Sequence, residues 1–123
     1  MRVQRTADQF LGDILEWSGR VAKHLHNVTL EEFLESDLLQ DAVTKCIENI
    51  GEAAIHATRL DPSLTDKYPD FQAGYAYSAR NAVSHGCFNI DNDIVWFTAS
   101  NSVPQMARVV RRILNDRAKG QAK

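Results

Sequence analysis

The sequence predicts an all-α protein, an antiparallel bundle of four main helices plus one short helix. Three observations predict it. Apolar residues recur at steps of three and four along most of the chain, which is the spacing of one helix face. Six glycines and three prolines are too few for a turn-rich β-sandwich. Residues that cap helices stand at the borders of the periodic segments. A chain of 123 residues suits one domain with one hydrophobic core. That domain is assigned to residues 1–116, with residues 117–123 as a flexible C-terminal tail.

The first helix is expected on the stripe Phe10, Ile14, Trp17, Val21, Leu25 and Val28. "TLEE" follows, with Thr29 and Glu32 at capping-box spacing, and predicts a short helix through Phe33 and Leu34. The strongest helix runs through "SDLLQDAVTKCIENIGEAAIHATRL". Ser36 or Asp37 caps it, and Leu39, Val43, Ile47, Ile50, Ala54 and Ala57 form its apolar stripe. Gly51 inside it costs about 1 kcal/mol against alanine, so glycine and alanines here imply a closely approaching helix. "DPSLTDKYPD" reads as a connection, marked by Asp61-Pro62 and Pro69.

From Asp70 a fourth helix is expected through Phe71, Tyr75 and Val83, with Gly86 suited to the left-handed position beyond its end. The last helix should start at Asp91 or Asn92 and carry Ile94, Val95, Trp96, Val103, Met106, Val109, Val110, Ile113 and Leu114. Pro104 lies inside this pattern and predicts a kink or break. "DRAKGQAK" reads as a frayed end.

A net charge of −2 argues against holding nucleic acid by bulk charge. A local patch remains open in "RVVRRILNDRAK", where Arg108, Arg111, Arg112, Arg117 and Lys119 form either a solvated helix face or an RNA-backbone contact. No apolar run approaches the ~20 residues of a membrane span, and the N-terminus has no signal-peptide core, so no membrane association is expected. The two cysteines, Cys46 and Cys87, form no metal or redox motif, and a reducing cytoplasm is the simplest location. His24 and His26 lie near no acidic ligand pattern, and neither a metal site nor a cofactor is expected. Cys46 reads as a buried small hydrophobe, and Trp17 and Trp96 as core or interface anchors. Tyr75 suits the core, whereas Tyr77 suits an exposed position from which it can stack on bases. His56 reads as a surface or interface histidine.

"SARNAVSHGCFNID" holds the densest chemistry. Arg80 and Ser84 are four apart, as are Asn81 and His85, so each pair shares a helix face. Arg80 and His85 are five apart, which leaves them about 140° apart around an ideal helix. They converge only if the helix unwinds at His85 or a second subunit completes the site. Histidine titrates near neutrality and serves as acid or base. Arginine stays charged and presents a fork that matches phosphate oxygens. Together they suffice to cleave an RNA phosphodiester without a metal. The base removes the ribose 2′-hydroxyl proton, and the arginine stabilises charge growing on the phosphorus oxygens. On spacing alone the same residues also fit a solvated arginine and a histidine favoured by the helix dipole.

"RNAVSHGCF" resembles the R-x4-H-x-Y motif of the HepT-like proteins of the HEPN superfamily. "DAVTKCIENIGEAA" resembles the family's central helix with its "IGEA" signature, "EEFL" its short helix, "KYPD" the segment before the fourth helix, and "FNIDNDIVW" the entry to the last. The blocks span roughly Leu11 to Leu114. The resemblance implies a HEPN-like bundle that forms a homodimer, with two copies of the motif facing one cleft. It implies a metal-independent endoribonuclease toxin of a type VII-like toxin–antitoxin pair, whose partner is an MntA-type nucleotidyltransferase antitoxin. By position, Arg80 and His85 become the catalytic pair. Asn81 becomes the polar residue beside the arginine. Ser84, on the Arg80 face, reads as a supporting residue, and Glu52, in the "IGEA" block, either orients Arg80 or a neighbouring subunit or is a helix-surface charge.

Two departures stand out. Cys87 occupies the position of the motif tyrosine, which in the family receives AMP from the antitoxin, so tyrosine adenylylation cannot occur there. Family members often carry Pro-Trp after "YPD", where this chain reads "FQAG". A second reading of different class has the chain as a non-catalytic helical partner that binds nucleotide or substrate for a nucleotidyltransferase. The two readings differ in what Arg80 and His85 are for.

Overall fold

Local sequence sets each helix boundary in the computed structural model, which describes residues 4–71 and 91–121. Helix α1 spans Ala7–His24. Thr6 Oγ1 accepts from the Gln9 backbone N–H at 3.1 Å, and Gln9 Oε1 accepts from the Thr6 N–H at 2.8 Å. Two N–H groups that the first turn would leave unpaired are thus satisfied. The helix stops at Leu25, and Asn27 turns the chain with a φ of 58°, a left-handed conformation that asparagine tolerates. Leu25 and Val28 therefore pack from the turn and not from the helix. The buried line of α1 is Ala7, Leu11, Ile14, Ser18 and Val21, rotated from the expected stripe so that Phe10 and Trp17 flank the core.

Helix α2, Leu30–Leu34, opens with the expected box: Thr29 Oγ1 accepts from Glu32 N–H and Glu32 Oε1 accepts from Thr29 N–H. The bond from the Thr29 backbone holds the Glu32 carboxyl below its ordinary range. Five residues cannot hold a helix alone. Here Phe33 is fully buried, and the Gln40 side-chain amide donates to the carbonyls of Phe33 and Leu34 at 3.0 Å each. Ser36 caps helix α3, Asp37–Leu60, through Leu39 N–H. Val43, Ile47, Ile50, Ala54 and Ala57 are buried as expected, and Thr44, Cys46, Gly51 and Ala53 are buried as well. This wide buried face makes α3 the central helix. It packs chiefly against α1.

The expected connection "DPSLTDKYPD" contains a further short helix, α4, at Ser63–Lys67. Asp61 Oδ1 accepts from the backbone N–H of Ser63 and from its hydroxyl, and Leu64 is fully buried. Local capping and one buried leucine outweigh the turn signals of the two prolines.

Asp91 caps helix α5, Asn92–Phe97, by accepting from Asp93 and Ile94 N–H. Thr98–Ser102 then form one π-helical turn before helix α6, Val103–Gln121. Val103 N–H bonds the Thr98 carbonyl, five residues back. Pro104 has no N–H to give, so the irregularity expected of it takes this form just upstream.

The frayed end expected from Asp116 and the flexible tail assigned to residues 117–123 do not match the structure as far as Gln121. Helix α6 continues there because polar contacts clasp it. Arg117 bonds Asp8 at 2.5 Å and also bonds Asp61, and the Tyr68 hydroxyl donates to Asp116 at 2.9 Å. Arg112 bonds Asp70 at 2.6 Å. A run that looks like a polar tail is thereby tied to both α1 and the α3–α4 corner.

The protein is all-α, with the antiparallel HEPN-like bundle that the sequence predicts, and no strand occurs among the described residues. Its core joins Leu11, Ile14 and Val21 of α1 to the α3 face, Leu64, Phe71, Val95 and the inner side of α6. Among the described residues no helix is long and apolar enough to cross a membrane. The fourth main helix, expected from Asp70, lies outside the described residues beyond Phe71.

Candidate active site

Arg80, Asn81, Ser84, His85 and Cys87 lie outside the described residues, as do Tyr75, Tyr77 and Gly86. The described residues on either side are well fixed. Upstream, Phe71 is fully buried, its N–H bonds the Tyr68 carbonyl at 2.8 Å, and Asp70 is locked to Arg112. The Arg112 guanidinium holds the Asp70 carboxyl below its ordinary range. Downstream, Asp91 caps α5 and Val95 is fully buried beside α2 and α3. Asp70 is thus fixed to α6, and Asp91 to the start of α5.

Glu52 is exposed on α3, and His56 Nε2 lies 3.5 Å from its Oε1, one helical turn on. The His56 ring stacks on Phe10 with centroids 4.9 Å apart, and the Arg5 guanidinium lies over the Phe10 ring at 4.6 Å. His56 is therefore a half-buried packing residue at the α1–α3 seam. Of the other histidines, His26 is exposed and His24 half-buried. Among the described residues no three His, Cys, Asp or Glu side chains are grouped to hold a metal ion.

Cys46 is buried against the core, and burial pushes its thiol pKa up. A protonated, enclosed thiol is an inert one, as the sequence suggested. Trp17 is half-buried with Arg20 over its ring at 4.6 Å, and Trp96 packs on Phe33 with centroids 5.4 Å apart.

The basic run of α6 divides into two kinds of residue. Arg112 and Arg117 are engaged with carboxylates. Arg108 and Arg111 line a groove of about 200 Å³ between α1 and α6, and among the described residues neither meets a carboxylate. Sequence reasoning did not single out Ser18, which lies in the same groove. Its only signal was a hydroxyl on the apolar face of α1.

Comparison with known proteins adds the family. The family model for ribonuclease HepT-like proteins matches residues 14–113, a span that includes the whole Arg-His motif. A Methanocaldococcus jannaschii protein named "Putative RNase MJ1216" is 29% identical over 113 residues, covering 92% of this chain and 91% of the relative. A second from the same organism, "Putative RNase MJ0127", is 31% identical over 107 residues, covering 87% of this chain and 86% of the relative. "Probable ribonuclease HepT" of Thermococcus cleftensis is 23% identical over 104 residues, covering 85% of this chain and 92% of the relative. No solved structure matches. The helical architecture and a match that runs from the middle of α1 to the middle of α6 agree: the chain belongs to the HepT-like ribonuclease family of the HEPN superfamily.

Proposed function

We propose that this protein is a metal-independent endoribonuclease and the toxin of a HepT/MntA-type toxin–antitoxin pair. The observation that carries the reading is the family match across residues 14–113 in a chain that retains both Arg80 and His85. His85 takes the proton from a ribose 2′-hydroxyl, whose oxygen attacks the adjacent phosphorus. Arg80 faces the phosphate and stabilises the negative charge that builds on its oxygens. The 5′-oxygen of the next nucleotide leaves, and the upstream product carries a 2′,3′-cyclic phosphate. Asn81 and Ser84 orient the phosphate or the histidine, and Glu52 orients Arg80.

The site is shared by two copies of the chain. Leu38 and Phe97 are 80% and 58% exposed, apolar area that a second copy can cover. The cognate partner is a nucleotidyltransferase antitoxin, and its inhibition here proceeds without tyrosine modification, because Cys87 stands at that position.

Purified protein incubated with single-stranded RNA in excess EDTA tests the chemistry. Cleavage with cyclic-phosphate ends, and intact DNA of the same sequence, supports it. Absence of cleavage by purified dimer refutes it. Cys87 is the observation that favours the second reading, a binding partner for a nucleotidyltransferase, which predicts complex formation with that enzyme and no cleavage.

A further inference from the structure

The groove between α1 and α6 brings together features that the fold itself does not use. Ser18 is only 7% exposed, and its Oγ has no hydrogen-bond partner among the described residues. A serine inside a helix ordinarily returns its hydroxyl to the carbonyl of the preceding turn, and a buried hydroxyl without a partner is costly. Ser18 lines the groove together with Gly19 and Ala22 of α1 and Ala107, Arg108 and Arg111 of α6. Among the described residues no acidic side chain lines it. Arg108 and Arg111 are one turn apart, so both guanidinium groups reach the same mouth. Gly19 has nothing within 4 Å of where a Cβ would stand. No internal contact therefore requires glycine there, and the bare backbone leaves the groove open to something outside the fold.

The geometry points to a phosphate-binding groove, in which Arg108 and Arg111 hold the oxygens of a backbone phosphodiester of single-stranded RNA and the Ser18 hydroxyl donates to it. Two cations that meet no carboxylate among the described residues and an orphan donor match an oxyanion in charge and hydrogen bonding, beside a floor that also carries Val21, Val103 and Pro104. The choice of RNA as the source rests on the ribonuclease reading above. It gives the enzyme a hold on the strand that belongs to α1 and α6, separate from the residues of the Arg-His motif.

The test uses full-length His85→Ala protein, which leaves RNA uncut, and a short fluorescein-labelled single-stranded RNA followed by anisotropy across a salt series. Arg108→Gln with Arg111→Gln is expected to weaken binding about tenfold at low salt and to lower the slope of log K against log salt by about 1. Lys119→Gln, which removes a cation of the same helix outside the groove, should change both far less. Ser18→Ala should weaken binding while raising the melting temperature, since it removes the orphan hydroxyl. A loss per charge removed that is as large for Lys119→Gln as for the arginine pair would mean bulk charge alone and overturn the groove. Competition by inorganic phosphate for the groove, with RNA affinity unchanged in the arginine pair, overturns RNA as its occupant. The ribonuclease reading fails separately: wild-type protein that binds RNA through these arginines but cuts none sinks the nuclease and leaves the groove standing.

Discussion

Arg108, Arg111, Arg112 and Arg117 read alike in the sequence, yet the two pairs meet different surroundings. Arg117 reaches back to Asp8 and Asp61, and Arg112 reaches Asp70, so at that end of α6 positive charge holds the fold. Arg108 and Arg111 face a groove without acidic lining among the described residues. Arg111 and Arg112 are separated by about 100° around the helix, whereas Arg108 and Arg112 share a face and are separated by about 6 Å along it. Arg112 meets the α4 corner, whereas Arg111 meets the mouth between α1 and α6. Charge in a clasp contributes to stability, and charge in an open groove is available to a ligand.

The sharpest contrast sets the motif arginine against both pairs. If Arg80 acts on the reacting phosphate, Arg80→Ala should lower the rate of RNA cleavage at saturating RNA about 10²–10⁴-fold, and His85→Ala comparably. Arg80→Lys should recover only part, since lysine lacks the fork. Arg111→Gln should act on KM and leave the saturated rate close to wild type. Steady-state kinetics on the purified protein separates the two. Equal kcat losses from Arg80→Ala and Arg111→Gln would collapse the distinction between a catalytic and a binding arginine.

Next in size is the clasp. Arg117 is 28% exposed and serves two carboxylates, so it lies between a surface pair and a buried one. Arg117→Ala is expected to cost about 1–2 kcal/mol, near the worth of a charge-assisted bond. Arg108→Ala should stay within about 0.5 kcal/mol, the range of surface changes that break no contact. At roughly 4 °C per kcal/mol for a domain of this size, thermal denaturation resolves the two. A melting temperature for Arg108→Ala as low as that of Arg117→Ala would show that the groove arginine also holds the fold.

These pairs also mark what was legible in the sequence. Helix identity was, because periodicity and caps are local: Thr29 with Glu32, Ser36 and Asp91 all cap where their side chains and spacing indicate. The rotation of α1 was less so. Leu11 and Ile14 face the core and Phe10 flanks it, because a stripe drawn through the aromatics ignores which side α3 occupies. The helix α4 hidden between two prolines depended on Leu64 finding a core to enter, which no local signal records. The C-terminal end looked frayed because Asp8, Asp61 and Tyr68, its partners, are distant in sequence. The Arg-His motif lies outside the described residues, and its residue types and spacing leave convergence open, because residues five apart diverge on an ideal helix.

Acid distinguishes the clasp from the groove in another way. Hydrogen bonds from Ser63, and then Arg117, hold Asp61 below its ordinary value, and Arg112 does the same for Asp70. A carboxylate with a depressed folded pKa contributes stability that is complete above its unfolded value, near ~4, and is lost as pH falls through the folded value. Urea denaturation should therefore show a plateau near neutrality and a decline below about pH 4. Arg112→Gln should flatten the part of that decline due to Asp70, whereas Arg108→Gln should leave the profile parallel to wild type. A decline unchanged by Arg112→Gln would show that Asp70 contributes nothing to it.

The smallest expected effect lies on α1, where Gly12 and Gly19 stand in the helix interior with nothing within 4 Å of where a Cβ would be. Alanine at either position costs no packing and reduces the freedom of the unfolded chain. Gly12→Ala and Gly19→Ala should each stabilise by about 0.5–1 kcal/mol. Only Gly19 lines the groove. The stability gains should therefore be equal while RNA affinity separates: unchanged in Gly12→Ala, lowered in Gly19→Ala where a methyl group narrows the space beside Ser18 and Arg111. Calorimetry and RNA anisotropy on the same preparations measure both quantities. Loss of stability in either variant would mean that a neighbouring surface already presses on α1 at that glycine, and a second copy of the chain would be the first candidate to look for by sedimentation.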